Sequence, residues 1–368
     1  MDSEVVSLAL ASVPGIGPRR FRSLVARFGS AAAAWSAPQR DLAFWARSCP
    51  GLAGRIVDSR NNASVTLRIE RLLASARAQG MEAVCFENGR YPCRLREIPD
   101  PPPVLWTKGD VAPSARRVAV IGTRRASSYG RRVARDLCRD LAQCGIEVVS
   151  GMAHGIDGAA HEAVVKLRGR TLAVLACGLD VSLGSERDLL RDAILASGGA
   201  VVSEYNPGTR PCAEHFPARN RIISGLSDAV VIVEAPARSG ALITAEFALE
   251  QGREVLAVPG SIFALTSEGC HQLIKDGAAV VTRASDVLEA AGLASHRTAG
   301  GQMQLQVQVG GTGDAEARVF GALRQGSSGF DEIVAQAGID PVECARALGM
   351  LEIRGLARRL TDGSYEVV

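Results

Sequence analysis

The sequence predicts an α/β protein: a Rossmann-like, doubly wound, mostly parallel sheet with a helical unit before it and a winged helix after it. Three observations point there. Between residues 117 and about 292, short apolar runs rich in β-branched residues alternate with helical stretches. Several of those runs end in Gly, Ser or Arg just where a helix begins, as strand-loop-helix turns do. Before this stretch the pattern is mostly helical, and after it three helical segments lead to a terminal hairpin pattern. The expected divisions are a helical unit over 1–100, the core over 101–294, a linker over 295–314 and the winged helix over 315–368.

Residues 4–34 read as two short helices joined by Val13-Pro14-Gly15-Ile16-Gly17-Pro18. This is either a helix-hairpin-helix of the SAM-like kind, whose Gly-x-Gly presents backbone N–H groups to a phosphate, or a plain αα-hairpin turn. Helical pattern continues through Ala78. Residues 90–103, rich in proline, read as an extended connector, and Val104–Thr107 as an edge strand. Strand-like runs follow at Val118–Ile121, Glu147–Val149, Thr171–Leu175, Ala200–Ser203, Ala229–Val233, Glu254–Val258 and Ala278–Val281. Residues 295–314 are Gly/Gln/Thr-rich and lack a helical period, which is linker composition. Beyond them, helices are expected at 317–323, 330–336 and 342–354, then a hairpin turning at Asp362-Gly363.

The chain is organised around RRVAVIGTRRASSYGRR, residues 116–132. Strand, glycine turn, polar loop and helix start follow one another, the arrangement by which α/β proteins open an anion site. Eight arginines and one acid lie between Arg116 and Arg139. The turn fails both the dinucleotide and Walker A patterns, so neither NAD nor ATP is expected. A second turn, Ser150-Gly151-Met152-Ala153-His154-Gly155-Ile156-Asp157, puts Asp157 and His161 on one helical face. With one carboxylate and two histidines it is a poor metal set; Asp157 more simply accepts N–H bonds at the helix start and His161 is a packing residue. A third, His215-Phe216-Pro217-Ala218-Arg219-Asn220-Arg221, sets two arginines in a first helical turn, where the helix dipole opposes them unless an anion binds. Phe216 there serves a base or the core, and Glu204 could instead pair with one of the arginines. A fourth, Arg238-Ser239-Gly240, points backbone amides toward a phosphate. In an open parallel sheet these loops gather at one rim.

Composition narrows the classes. Aromatic residues are 4% of the chain, so nucleic-acid contact would rest on arginine more than on stacking. Only three of the 42 basic residues are lysine, which suits bidentate phosphate contacts or reflects a coding bias. Nine scattered cysteines without a C-x-x-C pair read as reduced thiols of a cytoplasmic protein. Neither a signal peptide nor a membrane span is expected, and no metal, cofactor or catalytic nucleophile-base pair is suggested. From residue 315 onward, 6 basic residues face 8 acidic ones, so a protein-contact or regulatory role suits that unit at least as well as DNA binding.

Taken in order, VAVIGTRRASSYG, SGMAHGIDGAAH, TLAVLACGLD, SEYNPGT, FPARNRIISGLS, VEAPARSGALITAEFALEQGREVLAVPG and LIKDGA resemble the DNA-processing protein A family, also called Smf. The resemblance implies a dimerising core that binds single-stranded DNA, helps displace single-strand binding protein and loads the RecA recombinase in natural transformation. It implies no catalytic residues. By motif position it sets Gly122, Thr123 and Arg124 against phosphate, with Phe216, Arg219 and Arg221 lining the strand's path. Together with the loops read above, the candidate DNA- or phosphate-binding residues are Gly122, Thr123, Arg124, Arg125, Ser128, Gly151, Phe216, Arg219, Asn220, Arg221, Arg238, Ser239 and Gly240. The chain departs from the family pattern at Leu183–Arg187, at Ala213-Glu214 and at Gly269–Ile274, which would either lower the affinity or move it onto Arg187 and Arg210. A weaker resemblance, through Ser239-Gly240 to Thr244 and Glu246, is to lysine-decarboxylase-like phosphoribohydrolases. That alternative needs Arg238 and Glu246 as its catalytic pair.

Overall fold

A computed structural model describes residues 2–293, 314–324, 329–353, 356–359 and 364–367. Residues up to 295 form one compact unit and those from 296 a second. The first opens with six helices, α1 Ser3–Ala11, α2 Pro18–Phe28, α3 Ala31–Ser36, α4 Gln39–Trp45, α5 Leu52–Asn61 and α6 Ala63–Ala78. In the α1–α2 turn Gly15 has φ +98°, open to glycine at little cost. Arg20 donates to the Gly15 carbonyl (2.6 Å) and Arg55 to that of Pro14 (2.9 Å), so α2 and α5 brace the turn from within the unit.

Strand β1 (Glu82–Cys85) pairs antiparallel with β2 (Val104–Gly109), and β2 pairs antiparallel with β6 (Ala200–Ser203). β2 is thus internal, not the edge its sequence suggested, and β1 takes the edge. Trp106 is fully buried in β2, and its indole N–H donates to Asn206 Oδ1 at 3.0 Å. The connector expected to be extended carries a short helix, α7 (Cys93–Glu97), begun directly after Pro92. A boundary at residue 100 would cut through this packing, because the N-terminal helices and the β2 side of the sheet share one hydrophobic cluster.

The remaining strands are β3 (Arg117–Ile121), β4 (Glu147–Ser150), β5 (Thr171–Val174), β7 (Ala229–Ile232), β8 (Glu254–Ala257) and β9 (Ala279–Val280). The sheet order is β1-β2-β6-β5-β4-β3-β7-β8-β9, with β3 to β9 parallel. Every residue of β3, β4, β5 and β7 is buried, which is why their sequences read as continuous apolar runs. Helices α8 (Ser128–Gln143), α9 (Ile156–Lys166), α10 (Ser185–Ala196), α11 (His215–Leu226), α12 (Gly240–Glu250), α13 (Glu268–Lys275) and α14 (Ala284–Ala290) connect or follow the strands. α8, α9 and α14 cover one face of the sheet, and α11, α12 and α13 the other. Strand order reverses at β3, between β4 and β7, so a crevice must open there at the carboxyl ends.

The second unit contains α15 (Asp314–Arg324), α16 (Phe330–Ala337), α17 (Pro341–Ile353) and the antiparallel pair β10 (Ala357–Arg359) and β11 (Tyr365–Val367). This is a winged helix, with its own core of Val319, Leu323, Ile333, Cys344, Leu348 and Leu351. The expected linker, apart from Asp314, and the Asp362-Gly363 turn lie outside the described residues.

At the amino end of the sheet Arg117 and Glu147 form a buried ion pair at 2.5 Å. Removing one member strands the other in low dielectric. Arg117→Leu is therefore expected to cost about 3–5 kcal/mol of stability, measurable as a lower denaturant midpoint, with less loss in the Arg117→Leu/Glu147→Leu double variant.

Candidate functional site

The switch-point crevice is built by the loops after β3 and β7. Thr123 N–H donates to the Glu234 carbonyl at 2.7 Å, tying one loop to the other. Gly122 makes the approach possible: a Cβ there would lie 2.6 Å from Ile156 Cγ1 and 2.8 Å from the Glu234 oxygen. The resulting cleft has a volume of about 590 Å³ and gathers Gly122, Thr123, Arg124, Arg125, Phe216, Arg219, Asn220, Arg238, Ser239 and Gly240. A second hollow of about 300 Å³ adjoins it between the ends of β4 and β5, bordered by Gly151, Leu175, Cys177 and Arg187. Arg124, Ala153, Phe216 and Arg219 line both. Arg210 is exposed.

Three cations stand in the cleft uncompensated. Arg124, Arg125 and Arg238 are exposed, and among the described residues none has an ion-pair partner. The Arg124 guanidinium lies 4.9 Å from the Phe216 ring centroid, a cation–π contact that orients both side chains. α12 enters with its N-terminus: the Ser239 hydroxyl accepts the Ala241 N–H at 3.3 Å, and the first turn holds no acid. A Cβ on Gly240 would meet nothing within 4 Å, and Ser239 and Gly240 line the cleft, so this positive helix end faces it. Asn220 latches it to α11 by donating to the Gly240 carbonyl at 3.2 Å.

The start of α8 behaves differently from the expectation for Ser128. Ser127 caps the helix by accepting the Gly130 N–H at 3.0 Å. The carboxylate of Glu234, 2% exposed, accepts the Ser127 N–H at 2.9 Å and its hydroxyl at 2.5 Å. The protein's own anion therefore answers the α8 dipole, and Ser128 lies outside the cleft. Sequence reasoning missed Glu234, whose signal was a carboxylate closing the apolar run of β7.

Arg219 and Arg221 part company. Arg219, 4% exposed, forms the cleft floor, where its guanidinium donates to the carbonyls of Gly151 (2.6 Å) and Val174. A Cβ on Gly151 would meet that guanidinium at 2.6 Å. Burial lowers the Arg219 pKa to about 10, with Arg124 acting in the same sense and Asp157 against it. Asp157, buried below, is pushed up by desolvation while Arg219 pulls it down. Two residues along a helix is a rotation of about 200°, so Arg221 faces the other way. It makes two bonds to the Glu204 carboxylate, 2.8 and 2.6 Å, and meets Asp100 at 3.3 Å. Its task is to clamp α11 to the connector and the end of β6; it does not line the cleft, contrary to expectation.

His161 is fully buried, with Nδ1 2.8 Å from Thr171 Oγ1. The Thr171 hydroxyl donates to Val148 O at 2.7 Å, so the imidazole N–H is the donor to Thr171. Burial foremost, then Arg219, lowers the His161 pKa to about 3. Because the folded value lies below the unfolded one, its stabilising contribution is complete above the unfolded pKa. It is lost as pH falls from about 6.5 toward 3, by up to about 1.4 kcal/mol per pH unit. Urea titrations at stepped pH are expected to show that loss, and His161→Asn to flatten it.

Among the described residues no cluster of His, Cys, Asp and Glu could hold a metal ion, and no helix is long and apolar enough to cross a membrane. A family model for DNA recombination-mediator protein A matches residues 82–292, and a model for the DprA winged helix domain matches 309–363. The DNA processing protein DprA of Bacillus subtilis is 42% identical over 224 residues, 60% of this chain and 75% of that protein. Its Streptococcus pneumoniae counterpart is 46% identical over 199 residues, 54% of this chain and 70% of that one. The X-ray structure of DNA processing protein A from S. pneumoniae superposes with TM-score 0.65 at 33% identity, covering 78% of this chain and 98% of the other. A Helicobacter pylori DNA processing protein A structure, described for its single-stranded DNA binding mode, has TM-score 0.51 at 30% identity and covers 57% and 94%. With the cleft-bearing sheet and the winged helix both matched, the chain belongs to the DNA recombination-mediator protein A family, known as DprA or Smf.

Proposed function

We propose that the cleft binds single-stranded DNA by its sugar–phosphate backbone, without cutting it, and that the protein passes the strand to RecA. The observation that carries this reading is Arg124, Arg125 and Arg238 standing in one cleft beside Phe216 with no ion-pair partner among the described residues. Guanidinium groups and the α12 N-terminus attract phosphate, and the single aromatic ring offers a base a face to stack on. The H. pylori relative, described as binding single-stranded DNA, supports it. Within this reading the protein protects incoming DNA, displaces single-strand binding protein indirectly, and acts in recombination and natural transformation. The setting proposed is the bacterial cytoplasm, in keeping with nine free thiols. The winged helix, poor in net positive charge, is assigned contact with protein or regulation of the core.

The phosphoribohydrolase alternative loses ground on geometry. Arg238 lines the cleft, but Glu246 is exposed along α12 and is not among the lining residues. The carboxylate that does line it, Asp157, lies buried near Arg219. Release of free base from nucleoside monophosphates would revive that alternative.

For the proposed homodimer, the loop after β8 offers a surface. Ile262, Phe263 and Leu265 are 81%, 90% and 72% exposed. Contiguous apolar exposure of this kind marks interaction surfaces.

Arg124→Ala is expected to weaken single-strand binding about tenfold, whatever the sequence, and to reduce the log–log salt slope by about 0.7 for each phosphate left without its cation. Fluorescence anisotropy across a salt series measures both. Arg221→Ala should instead lower stability and leave the salt slope unchanged. Light scattering of Phe263→Asp should show a monomer; an intact dimer would place the interface elsewhere.

A further inference from the structure

We propose that Arg131 and Arg135, on the outward face of α8, form a second phosphate-binding row that carries the same strand beyond the cleft. The inference rests on the cleft's being a single-strand site, but its residues lie outside that cleft.

α8 buries Gly130, Ala134, Leu137, Cys138 and Leu141 against the sheet. Arg131 and Arg135 stand on its exposed side, one helical repeat apart, with a rise of about 6 Å between them. Their neighbours are neutralised locally. Arg132 reaches Asp136 at 3.8 Å, and Arg139 bonds Asp136 at 3.0 Å and Asp140 at 3.1 Å. Arg131 and Arg135 have no ion-pair partner among the described residues.

The first turns of α8 carry arginines and no acid. Glu234, through Ser127, answers the dipole at the helix start, so the charges of Arg131 and Arg135 are left for an external anion. The row follows the cleft along the chain: Arg125 lines the cleft, and α8 starts three residues later, at residue 128. A polyanion leaving by that side meets Arg131 and then Arg135 in succession. The occupant is therefore the extension of the bound strand, and the footprint is longer than the cleft.

The test uses the full chain, the double variant Arg131→Ser/Arg135→Ser, and two oligothymidylates, a short one of about 6 nucleotides and a long one of about 25. Anisotropy titrations should show the long strand bound about tenfold more weakly by the variant, with its salt slope reduced by about 1.4 for two phosphates. The short strand should bind as to the parent. Arg68→Ser/Arg71→Ser, on α6 near the β1 edge, removes the same net charge and should change neither. The proposal is overturned if the double variant binds the long strand normally, if both lengths weaken equally, or if the α6 control produces the same loss. Arg124→Ser separates the two readings. It should weaken both lengths, and if it weakens neither, the cleft assignment fails whatever α8 does.

Discussion

Glu234 is the residue on which the rim of this sheet depends. Standing where β7 ends, it offers its carbonyl to Thr123 and its carboxylate to Ser127, so that one residue fixes the loop after β3 at two points. Gly122 lets the two loops approach, and Gly130, where a Cβ would collide with the Glu234 carboxylate, leaves room for it. The electrostatic consequence is as important as the mechanical one. With an internal anion seated at the start of α8, attraction for an external one shifts to the arginines and to α12. Strand order forces a crevice at β3/β7, and Glu234 decides which groups in it remain free to bind.

The arginines divide into those that hold the protein together and those that remain available. Arg117, Arg219 and Arg221 are buried and engaged, by Glu147, by strand-end carbonyls and by Glu204 with Asp100 respectively. Arg124, Arg125 and Arg238 are exposed and have no ion-pair partner among the described residues. Arg219 belongs to both groups in effect: a buried cation at the base of the cleft, it ties β4 to β5 and raises the local positive potential. Such a floor costs desolvation, visible in its lowered pKa, and Asp157 offsets part of that cost.

Much of this was legible in the chain. The central strands announced themselves because burial on both faces demands unbroken β-branched runs such as Val118–Ile121, and the glycine turns that follow them located the rim. β1 was not legible. Its four residues follow directly on a helical stretch, and its strand character comes from pairing with β2, a tertiary effect that no local pattern encodes. The same pairing turned β2 from an edge into an interior strand. Ser128 and Arg221 were placed in the site because loop position is readable and side-chain direction is not. One residue of helix phase separates a cap from a bystander, and two separate a cleft floor from a clamp. Glu204 had been recognised as a possible partner for one of these arginines, but sequence could not say which.

The most direct measurement is a crystal structure of the protein with a short oligothymidylate. Phosphate oxygens should lie within hydrogen-bonding distance, roughly 3 Å, of the Arg124 and Arg238 guanidinium groups, with Glu234 still bonded to Ser127. A phosphate seated on the start of α8 in place of the Glu234 carboxylate, or a strand that leaves the β3/β7 cleft empty, would contradict it.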